Sequence, residues 1–167
     1  RQRQMCIRDS YETASTMGGS LKTKKNKSPT FLVWAMADAQ GTNLQRVQII
    51  KGWLDNGESK EKVFDATCSD GLEVDKSSHR CPDNGAKVNL NDCSISKNKG
   101  SRELKTLWKD PEFIEDQEAF YYVRVLENPV CRWSTWDAIR SNQLPRSDIK
   151  STIQERAWSS PIWITNY

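Results

Sequence analysis

The strongest constraint on this chain is the length of its apolar runs. None is long, and almost every one ends in a cluster of turn residues. Phe31-Leu32-Val33-Trp34-Ala35-Met36-Ala37 is a continuous apolar run of strand length, and it stops at a polar stretch carrying Gly41. Leu44–Trp53 places Val47, Ile49 and Ile50 among Gln48 and Lys51 and ends at Asp55-Asn56-Gly57, a strong hairpin signal. Glu61–Cys68 follows with Val63 and Phe64. These three segments predict a meander of antiparallel strands, the first buried on both faces. Further on, Ala86–Leu90 and Glu103–Trp108 read as short strands. Ala119–Leu126 is the clearest strand of all, and Ile162-Trp163-Ile164 closes the series behind Pro161. Trp133–Ser141 predicts a short helix with Ser134 or Thr135 as its cap, and Ile153–Trp158 a further helical turn.

Six or seven short strands with one or two late helices imply a mainly β chain. The expected fold is an antiparallel, immunoglobulin-like β-sandwich over residues 31–167, preceded by a loop or linker at 11–30. Seven Trp in a chain of 36% hydrophobic content suggest a core of a few large aromatic anchors. The 25 basic and 22 acidic residues balance too evenly to imply a nucleic-acid partner, and no apolar run approaches a membrane span. Gln4-Met5-Cys6-Ile7-Arg8-Asp9-Ser10 resembles the translation of a transposon-end sequencing adapter, so residues 1–10 are expected to be foreign to the protein. Lys22–Lys27 reads as a solvated loop, and Asn26-Lys27-Ser28 is formally a glycosylation sequon.

Four cysteines remain beside Cys6. In a loop-rich β chain they suggest two disulfides and an oxidising compartment. Of the three connectivities, Cys68 with Cys81 and Cys93 with Cys131 is favoured. A four-thiolate zinc site is the competing reading, although the spacings of 13, 12 and 38 residues contain no C-x-x-C knuckle; free buried thiols are the third. Catalytic signals are sparse. His79 is the one histidine and reads as a loop side chain, and no G-x-S-x-G elbow is present. Asp70, Asp75 and Asp83 miss the spacing of a calcium loop and read as turn formers. Arg132 beside Trp133, with Arg156 beyond, could recognise an anion or carboxylate while the indoles stack on a ligand. The competing expectation is that Trp133 and Trp136 fill the core and Arg132 pairs with an acid such as Asp137.

Three long segments also carry a resemblance. They are residues 31–53, with Phe31-Leu32-Val33-Trp34-Ala35 and Arg46-Val47-Gln48-Ile49-Ile50-Lys51-Gly52-Trp53; residues 119–138, with Tyr121-Tyr122-Val123-Arg124-Val125 and Arg132-Trp133-Ser134-Thr135-Trp136-Asp137; and residues 153–163, with Gln154-Glu155-Arg156-Ala157-Trp158. From about residue 15 to its end, the chain resembles the C-terminal end of the bacterial domain-of-unknown-function 3604 family. Met17-Gly18-Gly19 fits the same region. The resemblance implies an upstream part akin to the polymerase-and-histidinol-phosphatase (PHP) metallohydrolases, whose His and Asp clusters bind divalent metals. Those clusters have no counterpart in this sequence. The chain is therefore expected to be an accessory sandwich without its own catalytic site, cofactor or metal. Its partner would be the upstream catalytic domain, and its location periplasmic or extracellular. The closing Ser160-Pro161-Ile162-Trp163 strand resembles the end of an immunoglobulin-like domain in related hydrolases. Any residues reaching a neighbouring active site would be Arg132 and Trp133, then Arg156. The alternative is a stand-alone exported ligand- or carbohydrate-binding module that stacks its ligand on Trp.

Overall fold

The computed structural model describes residues 14–22 and 27–165. The adapter-like stretch 1–10, Cys6 and the sequon residue Asn26 lie outside the described residues, as does most of the lysine run. The main sheet runs in the order β1 (Ser20–Lys22), β10 (Ile162–Thr165), β6 (Ala119–Glu127), β3 (Leu44–Asp55), β4 (Glu58–Cys68), with β9 (Arg156–Trp158) also paired to β6. β6 thus carries β3 along one edge and β10 and then β9 along the other. A second sheet contains β2 (Thr30–Met36) and β5 (Glu103–Lys109), and a small ladder joins β7 (Val130–Cys131) to β8 (Thr152–Ile153). The architecture is the expected sandwich, with layers of very unequal width.

The β3–β4 hairpin follows directly from its turn residues. Asn56 and Gly57 both sit at positive φ, 51° and 83°, the requirement of a two-residue loop that matches strand twist. β3 is central, and its side chains divide by the period of two. Val47 and Ile49 point into the sandwich, while Gln48 and Ile50 point to the other face. β6 divides the same way: Ala119, Tyr121, Val123 and Val125 face inward, leaving Phe120, Tyr122 and Arg124 outward.

Residues 31–37 do not lead into a meander. β2 pairs with β5, far away in sequence, with Phe31 opposite Trp108 and Ala35 opposite Leu104. Nor is β2 buried on both faces. Phe31 and Val33 enter the core while Leu32, Trp34 and Met36 are exposed. An unbroken apolar run conceals this because both faces of the strand are apolar. Between the layers, Phe31 meets Tyr121 at 4.8 Å and Trp108 at 5.9 Å, and Phe64 meets Trp108 at 5.4 Å between ring centroids. The large apolar side chains that are fully buried include Phe64, Ile49, Ile50, Ile164 and Val47. At about 1.5–3 kcal/mol for each large apolar side chain, Val47, Ile49, Ile164 and Phe64 carry much of the core, while Ile50 is buried on the opposite face of β3. Aromatic anchors are present in Phe31, Phe64 and Tyr121, with the half-buried Trp53 and Trp108 packed beside them, but the other five Trp are exposed.

Two buried polar clusters fix the loops. Lys51, inward on β3, donates from Nζ to Asp110 Oδ2 at 2.7 Å and to the Glu112 carbonyl at 3.0 Å, and the Tyr121 hydroxyl donates to the same Asp110 oxygen at 2.7 Å. This holds the β5–β6 connection against the sheet. Asp65 receives Arg46 at 3.0 Å, Gln48 at 2.6 Å and the Cys81 amide at 2.7 Å. Together with the Cys68–Cys81 disulfide, these bonds lash the long polar excursion to β4. Within the excursion, residues 86–90 form no strand, only an isolated bridge between Val88 and Ile95. The second disulfide, Cys93–Cys131, ties the excursion to β7, so the favoured connectivity is the one observed.

The helix α1 spans Trp133–Arg140, but its cap is Arg132, with no side-chain capping bond. Thr135 turns its hydroxyl instead to the Ser151 carbonyl at 2.9 Å. The second expected helical turn is not helical. Residues 152–153 and 156–158 are strands because their backbone groups complete the free edges of β7 and β6. Within the stretch read as loop, β1 pairs parallel to β10, and the Gly18 amide donates to the Pro161 carbonyl at 2.8 Å.

Candidate functional site

The residues singled out in the sequence lie on α1 and β9. Arg132 precedes α1 and donates from Nε to the Lys150 carbonyl at 3.0 Å, so its guanidinium is partly committed to the 150–151 turn rather than to Asp137. Trp133 is 72% exposed and fills no core; Trp136 carries the Arg140 guanidinium 5.2 Å from its ring centroid. Arg156 is exposed on β9, opposite Leu126 of β6. None of the three lines any of the cavities below.

The acidic loop residues behave as turn formers. Asp75 Oδ1 accepts from the amides and hydroxyls of Ser77 and Ser78, which hold its carboxyl well below the usual range. Asp83 accepts from the Gly85 amide, and Asp70 from the Gly100 amide at 2.9 Å. His79 lies beside Glu112, 3.5 Å away, and against Phe64. Near it a cavity of 370 Å³ opens between Trp108, Val74 and Lys76.

Two features stand out that single residues did not announce. The first is the outer face of the β2–β5 sheet. Leu32 is 69% exposed, Trp34 66%, Met36 74% and Leu107 71%. Leu32 and Leu107 are directly opposed across the ladder, and Trp34 and Met36 continue the row opposite Lys105 and Glu103. Lys105 Nζ lies 5.8 Å from the Trp34 ring centroid. A groove of 510 Å³ runs along β2, lined by Trp34, Met17, Trp158, Val125 and Ile162. The alternation of Leu32, Trp34 and Met36 was present in the sequence. What was missing was the partner strand that shows which face is covered.

The second is a cleft of 590 Å³ on the outer face of the main sheet. Its floor is one register row: Glu61 of β4 opposite Gly52 of β3, Gly52 opposite Phe120 of β6, Phe120 opposite Trp163 of β10. Gly52 is required there because a Cβ would overlap the Phe120 ring. Phe120 and Trp163 rings lie 5.2 Å apart, inclined at 50°. Gln117 and Glu118 of the preceding loop border one end, and Gln117 Oε1 is buried without a hydrogen-bond partner. No sequence motif marks this row, which assembles residues from four strands.

Among the described residues no three His, Cys, Asp or Glu side chains converge as a metal site, and Cys68, Cys81, Cys93 and Cys131 are bound in disulfides. The donor set of the described residues does not fit a divalent metal of the kind the resemblance implies. No described helix is long and apolar enough to cross a membrane.

Comparison with protein families matches residues 1–166 to the family described as "Protein of unknown function (DUF3604)". The searches of curated proteins and of solved structures each returned no match.

Proposed function

Since the chain belongs to the DUF3604 family, we propose that it acts by contact rather than by chemistry, as the C-terminal accessory sandwich of a longer, PHP-like metal-dependent hydrolase. The observation that carries this reading is the outer face of β2–β5. Leu32, Trp34, Met36 and Leu107 make a flat apolar strip, rimmed by Lys105 and Glu103, of the kind that a neighbouring domain covers. The expected occupant is the upstream catalytic domain, which would hold the divalent metal. Two disulfides suit a periplasmic or extracellular setting.

Hydroxyl-radical footprinting tests the docking. Trp34 and Met36 should be protected in a family member that carries the upstream part and oxidise readily in the present chain. Equal oxidation in both sinks the reading. Arg132 and Trp133, with Arg156 behind them, are proposed to reach the neighbouring active site. Arg132→Ala in the longer protein should lower its hydrolytic activity without lowering its melting temperature; unchanged kinetics remove Arg132.

A second reading is favoured by a different observation. Five of the seven tryptophans are exposed, and one of them, Trp163, walls the cleft on the main sheet. That distribution suits a ligand-binding module in which aromatic rings act as stacking platforms.

A further inference from the structure

We propose that the cleft on the outer face of the main sheet binds a neutral oligosaccharide, with Trp163 and Phe120 as its aromatic wall and Gln117 as a hydrogen-bond acceptor at its end. The inference deepens the second reading and rests on it. Its site shares no residue with the β2–β5 face, so the docking reading stands or falls separately.

Three observations converge on this ligand class. The first is shape. The Glu61–Gly52–Phe120–Trp163 row spans three strand spacings, about 14 Å, with a residue lacking a side chain in the middle. The Phe120 ring lies over Gly52, where a Cβ would overlap it, and the half-exposed Trp163 leaves ring surface open beside it. An open trough with an aromatic side accepts the apolar C–H face of a sugar ring. The volume of 590 Å³ falls within the range of about 300–1,000 Å³ typical of small-molecule sites.

The second observation is the orphan acceptor. Gln117 Oε1 is buried and unpaired, whereas buried polar atoms are normally satisfied. Gln117 lines the cleft, and rotation of its amide into the cleft would pair this oxygen with a ligand that donates O–H or N–H. A purely aromatic or aliphatic ligand would leave it unsatisfied; a polyhydroxylated one would not.

The third is charge. Glu61 and Glu118 border the cleft against one lysine, Lys60, which already pairs with Glu58 at 2.6 Å. Carboxylates accept hydrogen bonds from hydroxyls but repel phosphate, sulfate or uronate groups. The ligand is therefore a neutral glycan rather than an anionic one.

The test is calorimetric titration of the 167-residue chain with cellohexaose, xylohexaose, maltohexaose and chitohexaose, and with an oligogalacturonate as the anionic comparison. At least one neutral hexaose should bind at concentrations up to about 5 mM, and the oligogalacturonate more weakly. Trp163→Ala should weaken binding by about tenfold or more with its far-UV circular dichroism unchanged. Trp163→Phe, which keeps a ring, should restore most of it, and Trp34→Ala should bind like the parent chain. If no neutral glycan binds, the second reading fails together with this site. If one binds but Trp163→Ala leaves the affinity unchanged, or Trp34→Ala weakens it equally, the site assignment alone is overturned.

Discussion

Asp70 and Glu127 respond to pH in opposite senses. Burial acts to raise the Asp70 pKa, but bonds from the Gly100 amide, Ser69 and Asn84, with the Lys99 charge, outweigh it and lower the pKa below 3.8. Its contribution to stability is present above that value and is lost as pH falls through the lower folded one. Glu127 is raised above 4.5, chiefly by burial and further by the charges of Glu155 and Asp38, against the Thr42 amide and Arg102. Its ionisation weakens the fold as pH rises through the raised value. Urea titrations should therefore show Asp70→Asn less stable than the parent at neutral pH, the gap closing in acid. Glu127→Gln should instead gain on the parent as pH rises above 4.5. Parallel curves for either pair would show that its carboxyl carries no such linkage. Lys51 is a sharper case, because it is buried against Asp110. Lys51→Met removes the countercharge and leaves Asp110 with only Tyr121 and the Glu112 amide. The expected loss is about 3–5 kcal/mol by equilibrium denaturation. Burial and the Asp110 bond also push the Tyr121 hydroxyl pKa upward.

Among the elements, strands with a local signal were legible and those defined by a distant partner were not. The β3–β4 hairpin is written in Asn56-Gly57, and β6 in its aromatic and β-branched run of Phe120, Tyr122, Val123, Val125 and Leu126. β9 has no such signal. Its Arg156-Ala157-Trp158 is exposed throughout, and it is a strand because the edge of β6 beside Arg124–Leu126 is free to pair. The five-residue segment 86–90 is the converse: Val88 and Leu90 alternate, yet no strand lies beside them to extend the bridge. The disulfides were legible as a pattern because a long polar excursion with little apolar content needs covalent anchoring. The excursion should therefore depend on them. For separations of 13 and 38 residues, the chain-entropy relation gives about 3 kcal/mol for Cys68–Cys81 and about 4 kcal/mol for Cys93–Cys131. Paired Ser substitutions should be ordered accordingly in thermal melts, and a larger loss for the first pair would point to its neighbouring Asp65 network.

At the scale of the whole molecule, the governing fact is the mismatch between a six-stranded sheet and the two strands that cover it. Sequence alone could say that the chain is rich in aromatic residues but not where a narrow second layer would leave them, so the candidate cleft and the apolar strip both escaped it. The mismatch makes β2 a strand whose two apolar faces are energetically unlike. Phe31 and Val33 on its inner face touch the core shared with Tyr121 and Ile49, and Phe31→Ala should cost about 3–5 kcal/mol. Leu32, Trp34 and Met36 on its outer face meet solvent, and Trp34→Ser should change stability by no more than about 0.5 kcal/mol. In a longer family member, where the upstream domain is proposed to cover that face, the same Trp34→Ser substitution should loosen domain docking, seen as faster proteolysis between the two parts. If Trp34→Ser instead destabilises the isolated chain by an amount comparable to Phe31→Ala, its outer face is already covered within this chain. The docking reading would then lose the surface on which it rests.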